Sequence, residues 1–372
     1  MAESEPRLQT TEINVNMGPQ HPATHGVFRM VLAIDGERVV DVTPHIGYLH
    51  RGSEKLAEGL QYHQITPLFD RMAYPAAMNN ELVYCMAVEK LMGLEVPERA
   101  QYIRVMMCEL NRIASHFLFL SSIGLDTGAL TPGLYAFRGR ERLMAFFEAA
   151  AGARLLPNYF VVGGVREDLH DGWKEQLSGV LSLVEFDTDE VDKLLTYNEV
   201  FVTRTRNVAL IDGRTAIEYG ALGPVLRASG VPYDVRKAEP YMVYDRLDFD
   251  IPRGENGDCW DRYYVRLFEV RQSLRIVRQA MERIPEGPVQ GLRRPTGIRP
   301  PKGEAYARSE NPTGEIGVYL VSDGSSNPYR VKVRPPSFCN LMALKHLLRE
   351  AYVADIGVIL GTLDIVLGEV DR

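Results

Sequence analysis

Three polar side chains inside an otherwise apolar segment constrain this chain more than any other feature. Pro97 marks a helix start, and an apolar pattern runs from there to about residue 123. Within it Glu109, Arg112 and His116 fall at i, i+3 and i+7, one stripe of the helix. If that stripe is buried, each charge must be paired, because burying an unpaired one costs several kcal/mol. An ion-pair network that fixes helix packing and a functional relay both remain open.

Around that helix the chain reads as α+β, mainly a helical bundle with β-structure in its N- and C-terminal regions. Residues 27–34 and 37–43 flank Asp35-Gly36, a two-residue hairpin signal. Ser53 is placed to cap a helix to about 61. Helices are expected at 77–92, at 134–151 with Gly152 as the stop, and more weakly at 171–185, 187–198 and 214–221. Asp258 caps a long helix over 259–284 that Pro285 ends. The Pro- and Gly-dense stretch 285–303 reads as a wrapped connector. Strands at 304–308, 315–322 and 329–334 follow, then helices at about 340–350 and 352–362. The expected division is an N-terminal β region over 1–52, a helical core over 53–284, and a C-terminal part over 285–372.

Composition excludes some classes. The net charge of −7 over 372 residues argues against nucleic acid, which needs a clustered basic surface. No apolar run reaches the roughly 20 residues a bilayer span takes, and the N-terminus has no charged-then-apolar signal pattern. Any membrane role is therefore expected to be peripheral. Cys85, Cys108, Cys259 and Cys339 form no CxxC pair and read as buried reduced thiols.

Three short segments carry polar groups that a plain core does not need. His21 and His25 lie in the loop Gly18-Pro19-Gln20-His21-Pro22-Ala23-Thr24-His25-Gly26, which reads equally as a surface turn. Without an acidic or cysteine neighbour, metal binding there is a poor fit. Tyr74, in Phe69-Asp70-Arg71-Met72-Ala73-Tyr74, is a hydrogen-bond donor at neutral pH or a packed interface residue. Asp126 closes the apolar helix before a Gly/Pro-rich exit, where it could also be a turn former.

The order of the motifs is more specific than any one of them. GPQHPATHG, HIGYLHRGSEK, FDRMAYPAAMNNE, ELNRIASH, GLDTGALTP, VVGGVREDL, VSDGSSNPYRVKVRPPSF and a terminal GEVDR follow one another along the chain. This series, over residues 13–372, resembles the quinone-site (D-type) subunits of respiratory complex I, the NADH-quinone oxidoreductase family. The resemblance implies the fold of nickel–iron hydrogenase large subunits, which hold metal with two CxxC pairs. Here Ala73 and Ala76 stand where the early cysteines would, and the late position, Asp364-Ile365-Val366-Leu367-Gly368, has none. The resemblance therefore implies no metal on this chain, and a vacated cavity used for a quinone headgroup.

It further implies that Tyr74 and His25 hydrogen-bond the quinone carbonyls, with Asp126 as the carboxylate partner of His25. Arg71 would face the terminal iron–sulfur cluster, which a partner subunit holds. Glu109, Arg112 and His116 would belong to a polar network leading away from the site, as relay or as structure. The function implied is quinone reduction and protonation, coupled to proton translocation by the whole complex. Expected partners are the iron–sulfur subunit, other peripheral-arm subunits and membrane-arm subunits. The expected location is the cytoplasmic face of the cell membrane. The substrate that the resemblance implies is menaquinone or ubiquinone. No flavin or NAD site is expected, since no GxGxxG follows a strand.

Two departures bear on the site. The family commonly has Asp where Ala73 stands. It often has His before the Asn-Tyr segment, where this chain has Leu155-Leu156-Pro157. A His there would couple cluster potential to pH, so its loss suggests weaker coupling and suits a low-potential quinone such as menaquinone. Two other readings compete. A nickel–iron catalytic subunit conflicts with the missing CxxC pairs. A scaffold that only docks the cluster subunit onto a membrane arm has no need of His25, Tyr74 and Asp126 together.

Overall fold

The computed structural model describes residues 12–293 and 296–372. The chain opens with a three-stranded antiparallel sheet: β1 (Ile13–Met17), β2 (Arg29–Asp35) and β3 (Arg38–His45), in that spatial order. The β2–β3 hairpin turns at Gly36-Glu37, with Asp35 paired to Arg38, one residue later than the Asp35-Gly36 expectation. Gly36 takes a left-handed φ of 60° there. β1 lies outside the expected strands, although Ile13, Val15 and Met17 alternate with Asn14 and Asn16; it is an edge strand and mostly exposed.

Helix α1 (Ser53–Glu58) begins at Ser53, but Gly52 occupies the cap position and no side chain caps it. Next comes α2 (Tyr62–Asp70), where the sequence reads as a connecting segment. Pro67 inside it weakens the helical pattern, while Gln61 and Gln64 form a capping box that stabilises its start. Then come α3 (Ala77–Met92), α4 (Glu98–Asp126) and α5 (Leu130–Ala151), the last closed by left-handed Gly152 as expected. With 29 residues, α4 is about 44 Å long. It is buried for most of its length, packed between α3, α5 and a later long helix. That explains why its apolar residues lie on every side.

A two-residue ladder follows, β4 (Phe160–Val161) and β5 (Gly164–Val165). The two expected helices at 171–185 and 187–198 are one helix, α6 (Trp173–Val191), continued by a single π turn over Asp192–Thr196. Four short helices come next: α7 (Glu199–Thr205), α8 (Gly213–Glu218), α9 (Gly223–Ala228) and α10 (Val235–Ala238). Asp258 caps α11 (Cys259–Arg283) as expected, accepting from the Asp261 N–H at 2.8 Å. The connector is anchored, with Gln290 bridged to Gly164.

A second antiparallel sheet, β6 (Gly303–Asn311), β7 (Gly314–Ser322) and β8 (Arg330–Arg334), packs β6 on α3 and β8 on α1. The expected C-terminal helix pair is broken into α12 (Pro336–Leu341), α13 (Leu344–Leu348), α14 (Ile356–Leu363) and α15 (Leu367–Asp371). Left-handed Glu350 and Asp364 interrupt the helical path. The architecture is α+β, 53% helical, with small antiparallel sheets near both ends. Among the described residues, no helix is long and apolar enough to cross a membrane.

Candidate functional site

His25 is placed by a 3-10 turn, Pro22–Thr24. His21 caps it, its Nδ1 accepting the Ala23 N–H at 3.2 Å, so the two loop histidines have separate tasks. Thr24 is buried and its hydroxyl donates to the His21 carbonyl at 2.6 Å. His25 then adopts a left-handed φ of 53°. Its Nε2 lies 3.1 Å from Asp126 Oδ2 and 3.2 Å from the Gly357 carbonyl oxygen. Burial disfavours the charged imidazolium, but the Asp126 hydrogen bond and charge outweigh it, helped by Gly357 and Asp364. The net effect holds the His25 pKa above its usual value.

Tyr74 opens a second 3-10 turn, Tyr74–Ala76, between α2 and α3. It is 48% exposed, and its hydroxyl has no hydrogen-bond partner among the described residues. Asn111 on α4 holds the turn, donating to the Pro75 carbonyl and accepting the Met78 N–H. Arg71 is exposed at the end of α2 and donates to the Pro67 carbonyl at 2.9 Å.

The C-terminal segment joins these two places. A β-carbon at Gly26 would lie 2.8 Å from Leu367 Cδ1, and one at Gly368 would lie 2.8 Å from the Met72 carbonyl oxygen. Arg51 ties the same region together by donating to the carbonyls of Arg71 and Gly368. Leu367–Gly368 therefore abuts both the His25 loop and the Arg71–Ala73 segment. Ala73 and Ala76, beside it, carry no thiolate. Among the described residues no group of three or more His, Cys, Asp or Glu is arranged to hold a metal ion. Cys85, Cys108 and Cys259 are buried, Cys339 is half-buried, and all four are free thiols.

The α4 stripe is fully buried and its charges are paired. Glu109 accepts from Arg112 at 3.2 Å, Arg236 at 3.0 Å, Tyr244 at 2.6 Å and Ser273 at 2.6 Å. Burial alone would raise the Glu109 pKa, but Arg112 and Arg236 hold it down, to about 2. His116 does not join that pair. Its Nε2 lies 2.8 Å from Glu269 on α11, and burial keeps its pKa below the usual value. Glu269 in turn binds Arg227, which reaches Glu310 at 2.7 Å.

Sequence reasoning missed the partners on α11. Arg262, Arg266 and Glu269 fall at i, i+4 and i+7 there, and all are buried. The spacing repeats the logic of the α4 stripe and could have flagged them. It missed Asp364 as a charge near the site as well. Asp364 lies 3.5 Å from Arg266 and adds to the charge acting on His25. Burial pushes its own pKa up.

The C-terminal segment of this helical bundle thus returns beside a histidine–carboxylate pair and a tyrosine whose hydroxyl has no partner among the described residues. The family model for the respiratory-chain NADH dehydrogenase 49 Kd subunit matches residues 126–296 and 292–372. The chain belongs to that family. It is 50% identical over 365 residues to the D-type NADH-quinone oxidoreductase subunit numbered 2 in Solibacter usitatus, covering 98% of each chain. It is 50% identical to the D-type subunit of Carboxydothermus hydrogenoformans, covering 98% of this chain and all of that one. The corresponding Bacillus cereus protein is also 50% identical, with the same coverage. The chain is thus a subunit of a complex I-type NADH-quinone oxidoreductase, and other subunits of that complex are its partners.

Proposed function

We propose that this chain forms one wall of the chamber in which the complex reduces quinone. An iron–sulfur subunit carrying the terminal cluster supplies the opposing wall. Tyr74 and His25 donate hydrogen bonds to the two quinone carbonyl oxygens. Reduction to quinol takes two electrons from the partner's cluster and two protons, and a phenol and an imidazolium are suited donors. Asp126 keeps His25 protonated until the quinone is reduced. Arg71 faces the cluster. Glu109, Arg112 and His116 belong to the buried network behind the site, through which charge changes reach the rest of the complex. The chain docks peripherally at the cytoplasmic face of the membrane, against other peripheral-arm and membrane-arm subunits, and proton translocation belongs to the whole assembly.

The observation that carries this reading is the shared wall. Leu367–Gly368 touches the His25 loop on one side and the segment leading to Tyr74 on the other, while the Tyr74 hydroxyl has no partner of its own among the described residues. The deciding variant is Tyr74→Phe in the native host, with membranes assayed for donor-to-quinone and donor-to-ferricyanide transfer. The reading expects quinone reduction to collapse while ferricyanide reduction and assembly survive.

A second reading, a non-catalytic scaffold, is favoured by one observation. Leu130, Leu134 and Phe137 form an exposed apolar stripe on α5, 56%, 59% and 43% accessible. Normal quinone reduction in Tyr74→Phe would put that reading first.

A further inference from the structure

Directly before Arg71 lies a buried pair of acids that the site as described does not use. Asp70 closes α2 and Glu81 lies on α3, and both are fully buried. Asp70 Oδ2 accepts the Asn158 N–H at 3.0 Å, and Glu81 Oε2 accepts the Phe160 N–H at 2.6 Å. Their other oxygens, Oδ1 and Oε1, are buried and receive no donor from any neighbour. Asp70 and Glu81 lie close enough that each acts directly on the other's ionisation. Two buried carboxylates so placed cannot both stay ionised, whereas one proton allows an O–H···O bond between them.

We propose that Asp70 and Glu81 share one proton and act as positioning residues, clamping the end of α2 to the 158–160 segment so that Arg71 and Tyr74 are held in place. This rests on the quinone-site reading above. The clamp has independent support on the α3 side. Asn80 donates to the Phe69 carbonyl at 3.1 Å, and the Phe69 and Tyr84 rings stack at 4.8 Å. The Arg71–Ala76 stretch that follows Asp70 contains both Arg71 and Tyr74, so a shift at Asp70 moves them directly.

The charged neighbours do not remove the need for the proton. Arg71 and Arg166 favour ionised Asp70, but burial outweighs them. On α3, Glu89 is held by Arg104 of α4 through bonds of 2.6 and 3.0 Å, so that guanidinium is already committed. Cys85 and Cys108 are buried thiols whose pKa values burial pushes up, so they add no charge near neutrality. Burial, and for Glu81 the charge of Asp70, pushes the pair's titration upward. The shared proton is therefore held to higher pH than on an ordinary carboxylate and leaves as pH rises further. Its loss sets two carboxylates against each other and loosens the clamp.

The test uses the assembled complex. In Glu81→Gln and Asp70→Asn the amide N–H replaces the shared proton permanently, while the amide oxygen can still accept the backbone N–H. Glu81→Leu removes the contact. Infrared difference spectra of purified complex, wild type minus Glu81→Gln, should show the C=O band of a buried carboxylic acid. Quinone reduction in wild type should decline on the alkaline side, and both amide variants should lessen that decline, leaving the part that His25 deprotonation causes. Glu81→Leu should lose quinone reduction at every pH, with Glu81→Gln restoring most of it. Ferricyanide reduction should keep its wild-type pH profile throughout. Absence of the acid band, or a Glu81→Gln profile that superimposes on wild type, overturns the proposal. The infrared measurement involves no turnover, so it stands even if Tyr74→Phe leaves quinone reduction intact, and the two failures are separable.

Discussion

His25 Nε2 lies 3.1 Å from Asp126 Oδ2, joining a loop ahead of the first hairpin to the last residue of the central helix. Each side chain is about one-fifth exposed, 19% and 21%, so water screens the pair only in part. The Gly357 carbonyl competes for the same Nε2 proton at 3.2 Å. A change in either acceptor therefore changes how firmly that proton is held.

Asp126→Asn keeps the size of the side chain and removes its charge. The expected outcome is a His25 pKa lower than in wild type, read by histidine NMR titration in selectively labelled protein. Because the wild-type value is raised, wild-type His25 stays charged to higher pH than the variant does. Quinone reduction should fall by roughly 10²-fold, the scale of a lost general acid. The drop should be largest on the alkaline side, where the variant's imidazole is already neutral. An unmoved His25 titration would show that the two residues are not coupled.

Gly361→Ala sets two effects against each other. Alanine is favoured over glycine in a helix interior by about 1 kcal/mol, and Gly361 lies within α14. A β-carbon there, however, would sit 2.8 Å from Asp126 Oδ2 and 3.1 Å from His25 Nε2. The pair must separate to make room. The expected result is wild-type or better thermal stability with impaired quinone reduction. Intact activity would mean that the pair tolerates displacement.

The long elements were legible because their signals are local. α3, α4, α5 and α11 follow from apolar periodicity with Gly152 and Asp258 at their ends. The breaks near the C-terminus were not, since Ile356–Leu363 and Leu367–Asp371 are separated by a left-handed Asp364 that no local preference demands. At the site, the α4 stripe could be read as charges needing partners. Which partners they took could not, because His116 leaves its own helix for Glu269 and Glu109 gathers Arg236 and Tyr244 from distant segments. Periodicity reports a face, and tertiary packing decides what that face meets. The meeting of His25 with Asp126 was implied only by family resemblance.

Glu109→Ala should be among the most destabilising single changes in the chain. It leaves Arg112 and Arg236 buried without their shared carboxylate, a loss of about 3–5 kcal/mol. The same residue shapes the acid limb of stability. Its pKa is held down to about 2, against about 4.3 in an unfolded chain. A depressed carboxylate stabilises the fold fully above the unfolded value and loses that contribution as pH falls toward the folded one. Thermal unfolding followed by circular dichroism should therefore show a weaker acid dependence in Glu109→Gln than in wild type. Parallel acid limbs would show that Glu109 does not carry that linkage.

Leu156 tests what the missing histidine does. Its backbone sits at a left-handed φ of 55°, two residues before left-handed Asn158, whose N–H is held by Asp70. Histidine is enriched in that conformation relative to most residues, so Leu156→His should be accommodated without unfolding. If this segment faces the partner's cluster, as the family resemblance implies, an imidazole there would gain a proton when the cluster is reduced. Redox titration of the cluster by electron paramagnetic resonance, at pH values on either side of neutrality, should then show a steeper pH dependence in Leu156→His than in wild type. A potential already steeply pH-dependent in wild type would mean that another group supplies the coupling. Leu156 would then give no reason to expect a low-potential quinone.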